Sequence, residues 1–402
     1  MSIVVELLGK ELARQRSTLT LIASENYPSQ EVLTAAGSVL SAKYSEGYPG
    51  ARYYGGNQVV DEIENLAISK AKEVFGAEHA NVQPYSGSPA NLAALLALTE
   101  PGSTIMGLAL PSGGHLTHGF KVSITGKIFR SVQYGVSDAG LLDFDAIRQL
   151  AITEKPAVII CGATAYSRII DFAAFKKIAD EVGAKLLADI AHISGLVATG
   201  LHPSPVPHAD IVTMTTHKML RGPRGALILS KQEVAKAVDK WVFPGLQGGP
   251  HNSTTAGIAQ CLIEAQTDEF KKYCQQVLTN AQKLAETLVS RGLTLVTGGT
   301  DNHLLLVDLR PQNISGFEVE QRLESIGIIA NRNTVPNDPR PPRQASGLRL
   351  GSPALTTRGL KEAEFQKLGE VIADVILNPD DTSIQAASQL VLQLTRDFPL
   401  YA

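Results

Sequence analysis

Four short stretches of this sequence place chemically able residues directly after an apolar run. In "TMTTHKMLRGPRGA" (213–226), Lys218 stands with His217, Arg221 and Arg224 between "ADIV" and a glycine-rich turn. A solvated basic loop is one reading. The other is a reactive amine. A lysine side chain has an ordinary pKa of roughly 10.4 and becomes nucleophilic near neutrality only where its cation is disfavoured. His217, Arg221 and Arg224 are the neighbours expected to disfavour it. "AKLLADIAHISG" puts Asp189 at the end of an apolar run with His192 shortly after, and the aspartate reads equally as a helix cap. "GGHLTHG" supplies His115 and His118, which alone would read as ordinary loop histidines. "QPYSGSPAN" supplies Ser86, Gly87 and Ser88 ahead of a helical pattern. A serine cap followed by Pro89 at the first helical position is a common helix start, and its free backbone N–H groups also favour an anion.

These residues need a scaffold, and the chain from about residue 80 to 230 reads as one. "ANVQPY", "STIMGLAL", "KIFRSVQYG", "PAVIICGA", "AKLLADI", "ADIVTMTT" and "GALILS" are strand candidates. "PANLAALLALT", "DFDAIRQLAIT" and "FAAFKKIADEVG" carry a 3.6-residue period between them. Apolar strands alternating with helices predict a largely parallel sheet covered on both faces. Glycine closes helices in "EVFG" and "DEVG", where a left-handed residue is needed. After Pro250 a long helical stretch is expected to run to about Ser290. "LTLVTGG", "HLLLVDL", a helix near 316–326, "GIIANRN", "GLRLGSP" and two terminal helices then form a smaller α/β unit. The expected division is an N-terminal arm over 1–50, a large unit over 51–270 and a small unit over 271–402.

In open α/β sheets ligands sit beyond the carboxyl ends of the strands. There this sequence offers an anion cradle, an imidazole, a carboxylate and an amine. Pyridoxal phosphate asks for that set: a helix N-terminus for its phosphate, a carboxylate for its pyridine nitrogen, a flat ring partner, and a lysine for its aldehyde.

Composition narrows the class further. The 402 residues are 44% hydrophobic and 19% charged with a net charge of -3, enough chain for two or three cores. That balance lacks the basic bias of a nucleic-acid binder. No apolar run approaches the roughly 20 residues that span a bilayer, so no membrane association is expected. "MSIVVELLGKELARQR" is interrupted by Glu6, Lys10 and Glu11, and reads as an amphipathic helix rather than a signal peptide. Cys161, Cys261 and Cys274 are too few and scattered for a disulfide framework or a zinc site, which points to free thiols and a cytoplasmic setting.

"LIASENYPS", "KYSEGYPGARYYGG", "QPYSGSPAN", "GGHLTHG", "DIAHISGLVATG", "TTHKMLRGPRGA", "FPGLQGGP", "GGTDNHLLLVDL" and "NTVPNDP" occur in this order. Together they resemble serine hydroxymethyltransferase, from about residue 20 to the C-terminus, and "THK" followed by "RGPRG" is very specific to that family. The resemblance implies the aspartate-aminotransferase-like fold, fold type I of the pyridoxal-phosphate enzymes. It implies reversible conversion of L-serine and tetrahydrofolate to glycine and 5,10-methylenetetrahydrofolate. By it, Lys218 carries the cofactor, Asp189 partners the pyridinium, His115 stacks on the ring, and Ser86 with Gly87 hold the phosphate. Ser167 and His192 lie near the phenolic oxygen, and His217 shapes specificity. Arg349 grips the substrate carboxylate with help from Ser24. Tyr44, Glu46 and Tyr54, with Gly248 and Gly249, reach across a homodimer interface, Tyr44 to the partner's phosphate and Glu46 and Tyr54 into its active site. Leu110, Gly114, Leu116 and Asn333 match the folate-binding positions.

Some positions depart from the family's commonest pattern: Met214 and Met219 around the lysine, Tyr85, Pro89, and above all Arg343 in "PRPPRQASG". Arg343 stands where an aromatic residue is usual, which bears on folate affinity. It is the main support for a folate-independent, threonine-type aldolase as the alternative. A non-catalytic folate- or RNA-binding relative is opposed by the intact Lys218–Asp189–His115 set.

Overall fold

The computed structural model describes residues 2–401. All seven apolar runs become strands of one sheet. From edge to edge they lie in the order His79–Asn81, Ala226–Ser230, Ile211–Thr215, Lys185–Asp189, Val158–Gly162, Thr104–Leu108 and Arg130–Tyr134. The last five are parallel to one another, and Ala226–Ser230 runs antiparallel to the strand on either side. Val158–Gly162, Ile211–Thr215 and Ala226–Ser230 are buried along their whole length, as a doubly covered sheet requires. Alternate residues point to opposite faces. Ile159 and Cys161 thus join one apolar cluster, with Phe172, Phe175 and Ile258. Val158 and Ile160 join another, with Ala90, Ala94 and Leu95 of the helix Gly87–Leu98. That helix is apolar on every side because sheet and neighbouring helices enclose it.

The smaller unit has an antiparallel sheet of Thr294–Leu295, Leu304–Asp308, Gly347–Gly351 and Asn331–Asn333. Its core includes Leu305, Leu348, Phe365 and Ile372, and it also takes in Leu19 and Leu21. Those two join it because Leu19–Thr20 pairs in parallel with Ile328–Ile329. The long helical stretch after Pro250 is two helices, Asn252–Ala265 and Asp268–Ser290, separated where the Thr267 hydroxyl caps the second by accepting from the Phe270 N–H. The second helix serves both units. Phe270, Cys274 and Val277 pack into the large core, and Leu284, Ala285 and Leu288 into the small one. The N-terminal helix spans Ile3–Ser17, yet buries none of its residues within the chain.

Two helix starts correct the sequence expectation. The helix after the Ser86 cap begins at Gly87, so Pro89 lies inside the first turn rather than opening it. A proline is tolerated there because first-turn N–H groups have no partner in the helix. Asp189 is no helix cap: its Oδ1 accepts from the Ala191 N–H at 3.0 Å in a local turn, and the helix Ser194–Ala198 starts later.

Candidate active site

At the carboxyl ends of the parallel strands lies a cavity of about 470 Å³. It is lined by residues from seven separate stretches of chain, among them Ser24, Ser86, Gly87, His115, Asp189, His192, His217, Lys218 and Arg349. Strand register explains the convergence. Asp189 is the last residue of its strand, opposite Gly162 on one side and Thr213 on the other. Gly162 is needed there, because at φ 141° a Cβ would stand 2.1 Å from the Asp189 carbonyl oxygen. Lys218 follows the next strand, and burial lowers its amine to about 8, with Arg349 and Arg224 adding to the shift and Asp189 opposing it. The expectation for Arg221 is therefore corrected. Its guanidinium turns away and stacks 4.3 Å from the Tyr273 ring centre and 5.4 Å from that of Phe270.

Asp189 keeps its charge for a reason visible in its contacts. Burial alone would raise its pKa, but hydrogen bonds from His118 and Asn91 hold the carboxyl well below the usual carboxylate range. His118 Nε2 lies 3.1 Å from Oδ2, and the Asn91 amide donates to the same oxygen at 2.8 Å. His118 Nδ1 accepts from the His115 N–H at 3.2 Å, which leaves the ring proton on Nε2, facing the carboxylate. His115 itself is pushed down to about 4, mainly by burial, so it enters as a neutral ring. His217 is also pushed to about 4, by burial and then by Arg224 and Lys218, and its buried Nδ1 has no hydrogen-bond partner.

The fit to a phosphorylated aldehyde rests on these features. Ser86 precedes a twelve-residue helix without using its side chain as a cap, so hydroxyl and first-turn N–H groups stay available to an anion. Gly87 lies close enough to the neighbouring strand that a Cβ would meet Thr215 Cγ2 at 2.7 Å. The buried Lys218 amine is tied down by no hydrogen bond among the described residues, and a stable carboxylate lies across the cavity. The donor set suits phosphate, pyridine ring and aldehyde together.

Other expected site residues lie outside this lining. Ser167 is turned toward the small unit, its hydroxyl 2.7 Å from Thr297 Oγ1 and 3.0 Å from the Gly299 carbonyl. Tyr44, Glu46, Tyr54, Gly248 and Gly249 gather instead on an outer face. The Tyr44 and Tyr54 rings meet edge to face at 5.0 Å, and a Cβ on Gly248 would lie 3.2 Å from Glu46 Oε1. Both tyrosines are about half exposed. Leu110, Gly114 and Leu116 share one loop, tied to the cavity through the Thr164 hydroxyl, which donates to the Gly113 and Gly114 carbonyls. Asn333 borders the same loop from the small unit, where Thr334 Oγ1 donates to the Pro111 carbonyl at 3.3 Å.

Sequence reasoning missed Asn91 and Thr164 in the lining, and His303 behind it, whereas Arg224, expected to act on Lys218, does line the cavity. His303 Nε2 lies 3.2 Å from His192 Nδ1 and the rings stack; burial pushes His303 down to about 3. A histidine directly before the apolar "LLLVDL" was the available signal. The departures around Lys218 are packing choices. Met214 and Met219 are buried, and Tyr85 stacks on His251 with ring centres 4.1 Å apart. Arg343 is exposed in the short turn Pro342–Gln344.

The serine hydroxymethyltransferase family model matches residues 2–372. This chain belongs to the serine hydroxymethyltransferase family. It is 56% identical to the serine hydroxymethyltransferase of Desulfotalea psychrophila over 397 residues, covering 98% of this chain and 93% of that protein. It is 57% identical to the one from a Nostoc species over 401 residues, covering 99% and 94%. With that of Legionella pneumophila it shares 56% over 404 residues, covering 100% and 97%. The large sheet with its smaller C-terminal unit is fold type I of the pyridoxal-phosphate enzymes, the fold of the serine hydroxymethyltransferase family. No helix among the described residues is long and apolar enough to cross a membrane, and no cluster of metal-ligating side chains occurs among them.

Proposed function

We propose that this chain transfers the hydroxymethyl group of L-serine to tetrahydrofolate, giving glycine and 5,10-methylenetetrahydrofolate, reversibly and with pyridoxal 5'-phosphate. Its near-full-length kinship with serine hydroxymethyltransferases supports this reading. The single structural observation that carries it is the buried Lys218 amine, lowered to about 8, sharing one cavity with Asp189, His115 and Arg349. Bound there, pyridoxal phosphate supplies an electron sink that makes a bond at the substrate α-carbon labile. Lys218 holds the aldehyde, Ser86 and Gly87 the phosphate, and Asp189 the pyridine nitrogen. His115 covers the ring. Arg349 takes the substrate carboxylate with a planar fork, and Ser24 assists.

The remaining assignments are parts of the same proposal. Ser167, through its loop, and His192 act near the phenolic oxygen, His217 shapes specificity, and Leu110, Gly114, Leu116 and Asn333 receive the folate. A homodimer completes the site, with Tyr44, Glu46, Tyr54, Gly248 and Gly249 serving the partner's cavity. Their exposure on one face, and the exposed Ile3, Val4 and Leu8 of the N-terminal helix, support that arrangement. The arm, large unit and small unit divide at about residues 50 and 270, and the setting is cytoplasmic. The folate-independent aldolase is not favoured by the kinship.

Two measurements test this. Borohydride reduction of the loaded protein followed by peptide mapping should place the pyridoxyl group on Lys218, and a label on another lysine would refute the assignment. Serine cleavage measured with and without tetrahydrofolate should depend on the folate. Equal rates would convert the reading to an aldolase.

A further inference from the structure

We propose that Asn91 is a positioning residue, one buried amide that fixes both the carboxylate and the ring partner between which the cofactor ring is held. The inference rests on the cofactor reading above. Asn91 lies on the helix Gly87–Leu98, one turn beyond Gly87, and is 2% exposed. The helix that offers its N-terminus to an anion therefore also directs a side chain at Asp189.

The amide is held from both sides. The Thr213 hydroxyl donates to Asn91 Oδ1 at 2.5 Å. Asn91 Nδ2 donates to Asp189 Oδ2 and to Thr117 Oγ1, each at 2.8 Å. An ionised carboxylate only accepts, so the NH₂ end must face Asp189 and the oxygen must face Thr213. A flipped amide would set two acceptors against each other in a buried site. Thr213 sits opposite Asp189 in the parallel ladder, so the sheet itself fixes the spacing of the two groups that the amide bridges.

The second branch runs to His115. Thr117 Oγ1 accepts from Asn91, and its own proton is free to go to His115 Nδ1 at 2.7 Å. The Thr117 backbone N–H donates to the same nitrogen at 3.2 Å. With Nδ1 accepting from both, the ring proton resides on Nε2 and the imidazole is neutral. Asn91 thus ties the carboxylate to the loop that carries the ring. Nothing in the sequence around "SGSPAN" distinguishes this asparagine from a helical filler; only the packing does.

The test uses the full-length chain loaded with pyridoxal phosphate, comparing wild type with Asn91→Ala, Thr213→Val and Thr117→Val. Visible circular dichroism per bound cofactor reports how the ring is held, and equilibrium dialysis gives cofactor affinity. Asn91→Ala should weaken cofactor binding roughly ten- to hundredfold, the scale of a hydrogen bond to a charged group. It should also change the dichroic band and lower kcat for serine while leaving the serine KM within about threefold, since Arg349 is untouched. Thr213→Val, which keeps the shape and releases the amide oxygen, should shift the same readouts in the same direction by less. Thr117→Val should alter the band with a smaller loss of affinity. A variant that lowers only melting temperature, with band shape and kcat per loaded site unchanged, makes Asn91 a packing residue and overturns the proposal. If Asn91→Ala fails to fold, the two threonine variants decide by the same criteria. A wild-type protein with no visible band would instead refute the cofactor reading itself.

Discussion

Arg349 donates from Nη1 to the Thr164 carbonyl at 2.8 Å, a bond from the small sheet to the loop that follows a strand of the large one. A second bond, Nε to Asn331 Oδ1 at 3.2 Å, holds the guanidinium from its own sheet. Burial lowers its pKa to about 10, so it remains a cation at neutral pH. Replacing it by lysine keeps a charge and loses the fork. Arg349→Lys should raise the serine KM by roughly tenfold or more, the scale of a lost charge-assisted hydrogen bond. Cofactor affinity should be nearly unchanged. Steady-state kinetics and dialysis on one preparation check both.

The buried amine should cost stability until it is used. Lys218 is lowered to about 8 from 10.5, so the unfolded chain binds more protons between those values. Stability of the cofactor-free chain should therefore rise with pH from about 8 to 10.5. Below pH 8 the penalty is fully present, on the order of 3 kcal/mol. Lys218→Met should stabilise the cofactor-free chain at pH 7, and the gain should shrink across that window. Urea melts at several pH values read this directly, and a constant or absent gain would contradict it.

At low pH the same sign applies to the histidines. His115 and His217 are held at about 4 against an ordinary 6.5, so the unfolded chain takes up their protons first. Stability should fall as pH drops from about 6.5 to 4, by up to about 1.4 kcal/mol per pH unit for each such proton. His217→Gln should remove one proton from that slope. Potentiometric titration of proton uptake on unfolding measures the difference.

Much of this site was legible as residue types after strand ends. Asp189, His115 and Lys218 could be placed because open α/β sheets bring the carboxyl ends of separate strands together. Of the reasons for the lysine's shift only Arg224 was legible, since burial, the largest cause, leaves no local signal and Arg349 lies more than a hundred residues away in the chain, while Arg221 merely lies close in sequence. Asn91 was invisible for a related reason. An asparagine inside an apolar helix carries no periodic signal, and its partners Thr213, Asp189 and Thr117 come from three other segments. The join between the two helices after Pro250 was missed because no proline or glycine marks it.

Glu46 gives the sharpest separation of the two halves of the chemistry. Proton transfers during one-carbon capture need a group that both gives and takes a proton. Glu46→Gln keeps shape and hydrogen bonding but cannot do this. Folate-dependent serine cleavage should fall by roughly 10²-fold or more, while cleavage of allo-threonine, which needs no folate, should suffer much less. Mixed dimers of Glu46→Gln and Lys218→Arg chains should regain activity at one of their two sites. Equal loss of both activities, or no regain in the mixture, would withdraw Glu46 from the folate side.

The helix Asp268–Ser290 also bears on how the chain is made. Its first half closes the large core with Phe270, Cys274 and Val277, although the last strand of that sheet ends at Ser230. On a ribosome adding roughly 5–20 residues per second, the sheet can be assembled for seconds before those side chains emerge. During that interval the face destined for them is open apolar surface, which invites either a chaperone or another nascent copy. A pause that holds the helix Asp268–Ser290 inside the ribosome after Ser230 has emerged should therefore lower soluble yield more than the same pause placed after that helix is outside.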